Sequence, residues 1–216
     1  MELYPLLKMK GYFKMSGYKR RKLRVRIPRK VFVIVCEGEK TERIYFNRYK
    51  TRHSNLRIET PNSRCTDPIN LAKFSREQIK KEALDLKNGD AIWCVFDCDE
   101  NTNEDMSKAR KIAGKDIKIC LSNPNFELWF LLHFSFIVSN VTRSEVIEKL
   151  KEHIPTYDKN IDIYDILLEK RATAIENTKK LIKIHETNGV ELISVESNPS
   201  TQVQNIIEEI LRITDK

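Results

Sequence analysis

Three acidic residues stand at the ends of apolar runs. Glu37 follows Val31-Phe32-Val33-Ile34-Val35-Cys36, and Asp97 and Asp99 follow Ala91-Ile92-Trp93-Cys94-Val95-Phe96. Such all-oxygen sets suit a hard cation, Mg2+ or, in its place, Mn2+. A cation so held activates a nucleophile and neutralises charge on phosphates. Residues two apart in a strand share a face, so Asp97 and Asp99 can reach one ion. Without a cation they repel each other, and one tends to take up a proton. The competing reading is an acidic turn that caps the next helix. A calcium loop starting at Asp97 fails at two decisive positions, with Thr102 in place of the turn glycine and Lys108 in place of the bidentate glutamate.

Three more residues join the candidates. Glu42 lies one turn before Tyr45 and Phe46, so it can point at the strand ends, or it can serve as favourable charge at a helix start. Glu127 interrupts the apolar segment Pro124–Phe134. A buried carboxylate needs a partner, so it is either a further ligand, one turn from Asn123, or half of a structural pair. Lys159 is a candidate cation for a phosphate or a transition state, against the alternative of an ordinary solvated lysine. Asn198 and Ser200 could touch a ligand, but an N-cap before the last helix is the simpler reading. Glu37-Gly38-Glu39-Lys40-Thr41 has one glycine and is not a P-loop, and no Gly-x-Gly-x-x-Gly occurs. The histidines at 53, 133, 153 and 185 are scattered without metal spacing.

The elements that must position these residues alternate. The pattern predicts strands at Val31–Cys36, Leu56–Thr60, Ala91–Phe96 and Ile117–Leu121. It predicts helices from Thr41, as N-cap, to about Thr51, from Pro68 after an Asp67 cap to about Lys87, and over Asn103–Ala113. The second helix shows an apolar stripe of Ile69, Ala72, Ile79, Ala83 and Leu86. Strands without polar alternation, separated by helices, argue for a parallel α/β sheet, and ligands bind at the carboxyl ends of such strands. Beyond residue 123 the texture turns helical. A buried helix is expected over Pro124–Phe134, and a capping box at Thr142–Glu145 opens a helix to His153. Helices follow over 161–170 and 171–187, and a last one after Thr201 carries the stripe Val203, Ile206, Ile207, Ile210 and Leu211.

Residues 1–30 carry eleven Lys/Arg and one acid, whereas residues 31–216 carry 28 basic and 30 acidic residues, so the whole net charge of +8 belongs to the N-terminal arm. Its densest part includes Arg20, Arg21, Lys22, Arg24 and Arg26, which mark it for nucleic acid, DNA or RNA. The start shows no signal-peptide pattern and no apolar run long enough to span a membrane, so cytoplasm is expected and a membrane is not. The five cysteines form no CxxC pair and read as reduced thiols, with a zinc site disfavoured.

A glutamate after the first strand and Asp-x-Asp after the third resemble the Toprim fold. The segments Val35–Glu42 with Tyr45-Phe46, Phe96–Asp99, Ser122–Phe134, Tyr157-Asp158-Lys159 and Asn198–Thr201 resemble, in order, the RloB-like family. That resemblance implies neighbouring first and third strands and three carboxylates converging on Mg2+. It also implies an antiphage role beside restriction or abortive-infection systems, with a neighbouring ATPase or restriction-system protein as candidate partner. Cys98 departs from the Arg or Lys more usual between the aspartates. The expected organisation is a basic arm (1–30), a Toprim-like domain (31–123) and a helical C-terminal subdomain (124–216). The leading expectation is a Mg2+-dependent nuclease with Glu37, Asp97 and Asp99 on the metal and Glu42 or Glu127 in support. The rivals are a non-catalytic nucleic-acid-binding or sensing subunit, and a phosphoryl-transfer enzyme for a small substrate held in a nucleotide-sized pocket under the C-terminal helices.

Overall fold

A computed structural model describes residues 29–51, 54–98 and 101–214. The element order is β1 (Lys30–Cys36), α1 (Thr41–Asn47), β2 (Leu56–Glu59), α2 (Pro68–Lys81), β3 (Ala91–Asp97), α3 (Asn103–Ala113), β4 (Ile117–Asn123), α4 (Glu127–Leu131), α5 (Arg143–His153), α6 (Tyr164–Leu168), α7 (Arg171–Thr187), β5 (Ser200–Thr201) and α8 (Val203–Thr214). The strands form one sheet in the order β2-β1-β3-β4-β5. The first four are parallel and β5 runs antiparallel to β4. The fold is therefore α/β, with a mostly parallel sheet flanked by helices, an arrangement compatible with the Toprim-like expectation.

Alternation along the buried strands divides the apolar residues between two faces. Val33, Val35, Ile92, Cys94 and Phe96 pack with Leu71 and Ala72 of α2 and Met106 and Ala109 of α3. Phe32, Ile34, Trp93 and Val95 pack on the other side with Phe46, Trp129, Ile206 and Ile207. The C-terminal half thus builds the second core and also extends the sheet through β5. Among the described residues no helix is long and apolar enough to cross a membrane.

Capping accounts for the best-predicted helices. The Asp67 carboxylate accepts from the Asn70 N–H at 2.8 Å, with Pro68 in the first turn. Reciprocal capping boxes open α3 at Thr102 and α5 at Thr142. Other expectations need correction. Lys40, not Thr41, precedes α1, which stops at Asn47. Helix α2 ends six residues early, because Ala83 turns left-handed at φ 49°. Its buried residues are Pro68, Leu71, Ala72, Ser75 and Gln78, so of the expected stripe only Ala72 is fully buried, and two polar residues share that face, the Ser75 hydroxyl bonded to the Leu71 carbonyl. Of Pro124–Phe134 only Glu127–Leu131 is α-helical. Its uniform hydrophobicity reports burial rather than backbone conformation. Asn198 and Ser200 do not cap α8: Asn198 bonds both ways with the Val141 backbone, and Ser200 lies in β5.

Candidate active site

Strand pairing places the first two acids. Cys36 lies opposite Val95 in the β1–β3 ladder, so Glu37 falls level with the end of β3. The Glu37 N–H donates to the Val95 carbonyl at 2.9 Å, and the Asp97 N–H donates to Glu37 Oε2 at 3.1 Å. The Glu37 carboxylate therefore rests on the strand end that carries Asp97. The chain then turns through Gly38, whose N–H donates to Glu42 Oε1 at 3.2 Å. Any side chain at 38 would displace the Glu42 carboxylate from its present position. Glu42, with Tyr45 and Phe46, faces inward from α1 and is only 5% exposed. Glu39 is exposed.

The C-terminal half supplies the other wall. Glu127 opens α4 and is 2% exposed. The Tyr157 hydroxyl donates to Glu127 Oε1 at 3.1 Å, and Lys159 Nζ lies 3.8 Å from the same oxygen. Thr41 Oγ1 donates to the Lys159 carbonyl at 3.2 Å, which ties the start of α1 to the Lys159 segment. Arg143, the first residue of α5, completes the wall. Glu37, Glu42, Asp97, Glu127, Arg143 and Lys159 all line one cleft of about 310 Å3.

Four carboxylates in this space disturb one another. Burial, then the charges of Glu42, Glu127 and Glu37, push the Asp97 carboxyl well above the usual range, while Arg143 acts the other way. Burial also raises Glu42. Backbone N–H donors oppose that shift, Glu127 adds to it, and Lys159 counters it. Burial and the Glu127 charge raise the Tyr157 phenol, which stays protonated and donates. Among the described residues no trio of Asp, Glu, His or Cys is already drawn up in metal-coordinating geometry. The Glu37 and Glu42 carboxylates each accept a backbone N–H, and Asp99 lies outside the described residues. The donor set still suits Mg2+ or Mn2+, since every acid in the cleft offers oxygen and their mutual repulsion calls for a cation.

The structure thus brings together Glu37, Glu42, Asp97, Glu127 and Lys159. Asp99 and the arm residues Arg20, Arg21, Lys22, Arg24 and Arg26 lie outside the described residues. Asn123 does not join the site; its amide donates to the Ser194 and Val195 carbonyls. His133 is a core residue bonded to the Trp129 carbonyl, and no disulfide joins the five cysteines, four of which are buried. Sequence reasoning did not assign Arg143 or Tyr157 to the site. Arg143 sits inside the recognised capping box, but that pattern fixes a helix start and gives no direction for the side chain.

An acidic cleft at the carboxyl ends of a mostly parallel sheet, closed by a helical C-terminal half, defines the class: an α/β protein with its candidate site at the strand ends. A family model described as RloB-like protein matches residues 32–210, and the chain belongs to the RloB-like family. No curated protein and no solved structure matches it.

Proposed function

We propose that this chain is a Mg2+-dependent nuclease of a restriction-linked or abortive-infection defence system, acting in the cytoplasm. The observation that carries the reading is the meeting of Glu37, Glu42, Asp97 and Glu127 in one cleft with Arg143 and Lys159. Glu37, Asp97 and Asp99 would hold the ion, and the raised affinity of Asp97 for protons marks where positive charge is wanted. Bound there, the ion would supply Lewis-acid neutralisation of the phosphate and a more acidic water. Glu42, held by the Gly38 N–H, and Glu127, held by Tyr157, would orient that water or accept its proton. The basic arm would add sequence-independent, salt-sensitive affinity for DNA or RNA.

One observation favours a second reading. A cleft of about 310 Å3, walled partly by the C-terminal half, is close to the size of a small-molecule site. A phosphoryl-transfer enzyme for a nucleotide-sized substrate therefore stands beside the nuclease. The test incubates the full chain with single- and double-stranded DNA and RNA, and separately with mononucleotides, in Mg2+ or Mn2+. Cleavage of polymer by the wild type and none by Asp97→Asn supports the nuclease. Turnover of mononucleotides alone supports the second reading, and polymer cleavage that survives Asp97→Asn refutes the site.

A further inference from the structure

The exposed rim residues Glu39 and Lys40 cancel, and one divalent ion offsets only half of the charge that Glu37, Glu42, Asp97 and Glu127 carry at full ionisation, before Asp99 is counted; the excess would repel a phosphate. Two cations, Arg143 and Lys159, line the same cleft and offset that excess; Lys40 at the rim is solvent-exposed. We propose that Arg143 and Lys159 form a phosphate-binding subsite on the wall contributed by the C-terminal half, which holds the substrate phosphate against the metal held by Glu37 and Asp97.

The inference rests on the metal-site reading and extends it to the side of the cleft that carries positive charge. Lys159 is not needed to satisfy Glu127. The Tyr157 hydroxyl already bonds Glu127 Oε1 at 3.1 Å, and the ammonium stands off at 3.8 Å. The Lys159 side chain is half exposed, so its three donors can turn to a ligand. Its backbone is fixed by Thr41, which anchors the lysine beside the turn that carries Glu37 and Glu42. Arg143 offers a planar fork suited to two phosphate oxygens at once. Its charge acts on Asp97, which places it within electrostatic reach of the metal position. The strand ends therefore bind the cation and the C-terminal half binds the anion, so neither half is a complete site.

The test uses the full chain and two separate titrations, Mn2+ alone and thymidine 5′-monophosphate in Ca2+, a probe too short to engage the arm through several phosphates. Arg143→Gln and Lys159→Gln are each expected to weaken nucleotide binding about tenfold, the loss of one charge-assisted contact. Each should leave Mn2+ affinity equal to or tighter than wild type, because a repelling cation has gone. Arg143→Lys should recover part of the nucleotide affinity. Opposite signs for the two ligands are what a merely structural role does not produce. Nucleotide affinity indifferent to both substitutions, with Mn2+ still bound, overturns the subsite alone, as does parallel loss of both ligands. Wild-type protein that binds the nucleotide but no Mn2+, with binding lost in the variants, contradicts the metal reading and leaves the subsite supported.

Discussion

Glu37 and Asp97 are held by strand pairing, whereas Glu127, Arg143 and Lys159 are held by contacts between segments remote in sequence. On the first wall, the β1–β3 register and two backbone hydrogen bonds set the positions. On the second, a phenol, a threonine hydroxyl and the start of α5 do so. In a parallel ladder buried on both faces, a one-residue slip would send every side chain into the opposite core, where the packing does not fit it. On the second wall the buried apolar residues of α4 fix the backbone of Glu127, but the Glu127 carboxylate and the Lys159 segment are tied by single polar bonds worth about 0.5–3 kcal/mol each. The strand-end wall should therefore tolerate little chemical change and lose function outright. The helical wall should respond by degrees.

The largest effect expected is on the first wall. Asp97→Asn and Glu37→Gln should each reduce Mg2+-dependent cleavage by about a hundredfold or more, read in a gel assay, because each removes a proposed ligand of the reactive ion. Both variants should stay folded by circular dichroism, since neither side chain belongs to either core.

Gly38→Ala comes next, and it tests how the first wall joins α1. The added methyl meets the Glu42 carboxylate and must displace it. Activity should fall about tenfold, a positional effect of the size expected when a proton-handling group moves out of reach. Mn2+ affinity, measured by titration calorimetry, should change less than in Asp97→Asn.

A pH series sharpens the comparison. Asp97 and Glu42 have folded pKa values raised above their unfolded ones. The folded state thus binds more protons than the unfolded state, and their contribution to stability is present at low pH and lost as pH rises through the folded values. With EDTA, the melting temperature of wild type relative to Asp97→Asn, a difference that cancels the opposite contribution of buried His133, should rise on going from about pH 7.5 to about pH 6, and Mg2+ should reduce that rise. Equal gains at both pH values on adding Mg2+ would argue against these acids as the binding site.

Tyr157→Phe should give the smallest effect. It removes one hydrogen bond to the buried Glu127 carboxylate and should cost about 1.5–3 kcal/mol in urea unfolding. Activity should fall only several-fold, because Lys159 remains beside Glu127.

The same contrast governs what the sequence revealed. Uninterrupted β-branched and aromatic runs specified β1 and β3, and Glu37 and Asp97 could be placed because each directly follows its run. Thr142 announced α5 because a capping box is a local bond pattern. The stripe of α1 sets Glu42 on one face with Tyr45 and Phe46, and all three are buried. Where position depends on packing between distant segments, local signals misled or gave nothing. Thr41 looked like a helix cap but bonds Lys159, 118 residues away. Asn198 and Ser200 looked like a helix cap but tie down the Val141 backbone and the edge strand β5. Arg143 carried only a helix-start signal, and Tyr157 stood in the motif Tyr157-Asp158-Lys159 without a direction for its side chain; their place at the site comes from how the C-terminal half folds back on the strand ends.

A divalent ion is expected where β1 and β3 end. Anomalous scattering from crystals soaked in Mn2+ tests it most directly. A peak is expected in contact with the carboxylates of Glu37 and Asp97, absent in Asp97→Asn crystals. A fully soaked crystal with no peak in this cleft, or with Mn2+ bound only elsewhere, would contradict it.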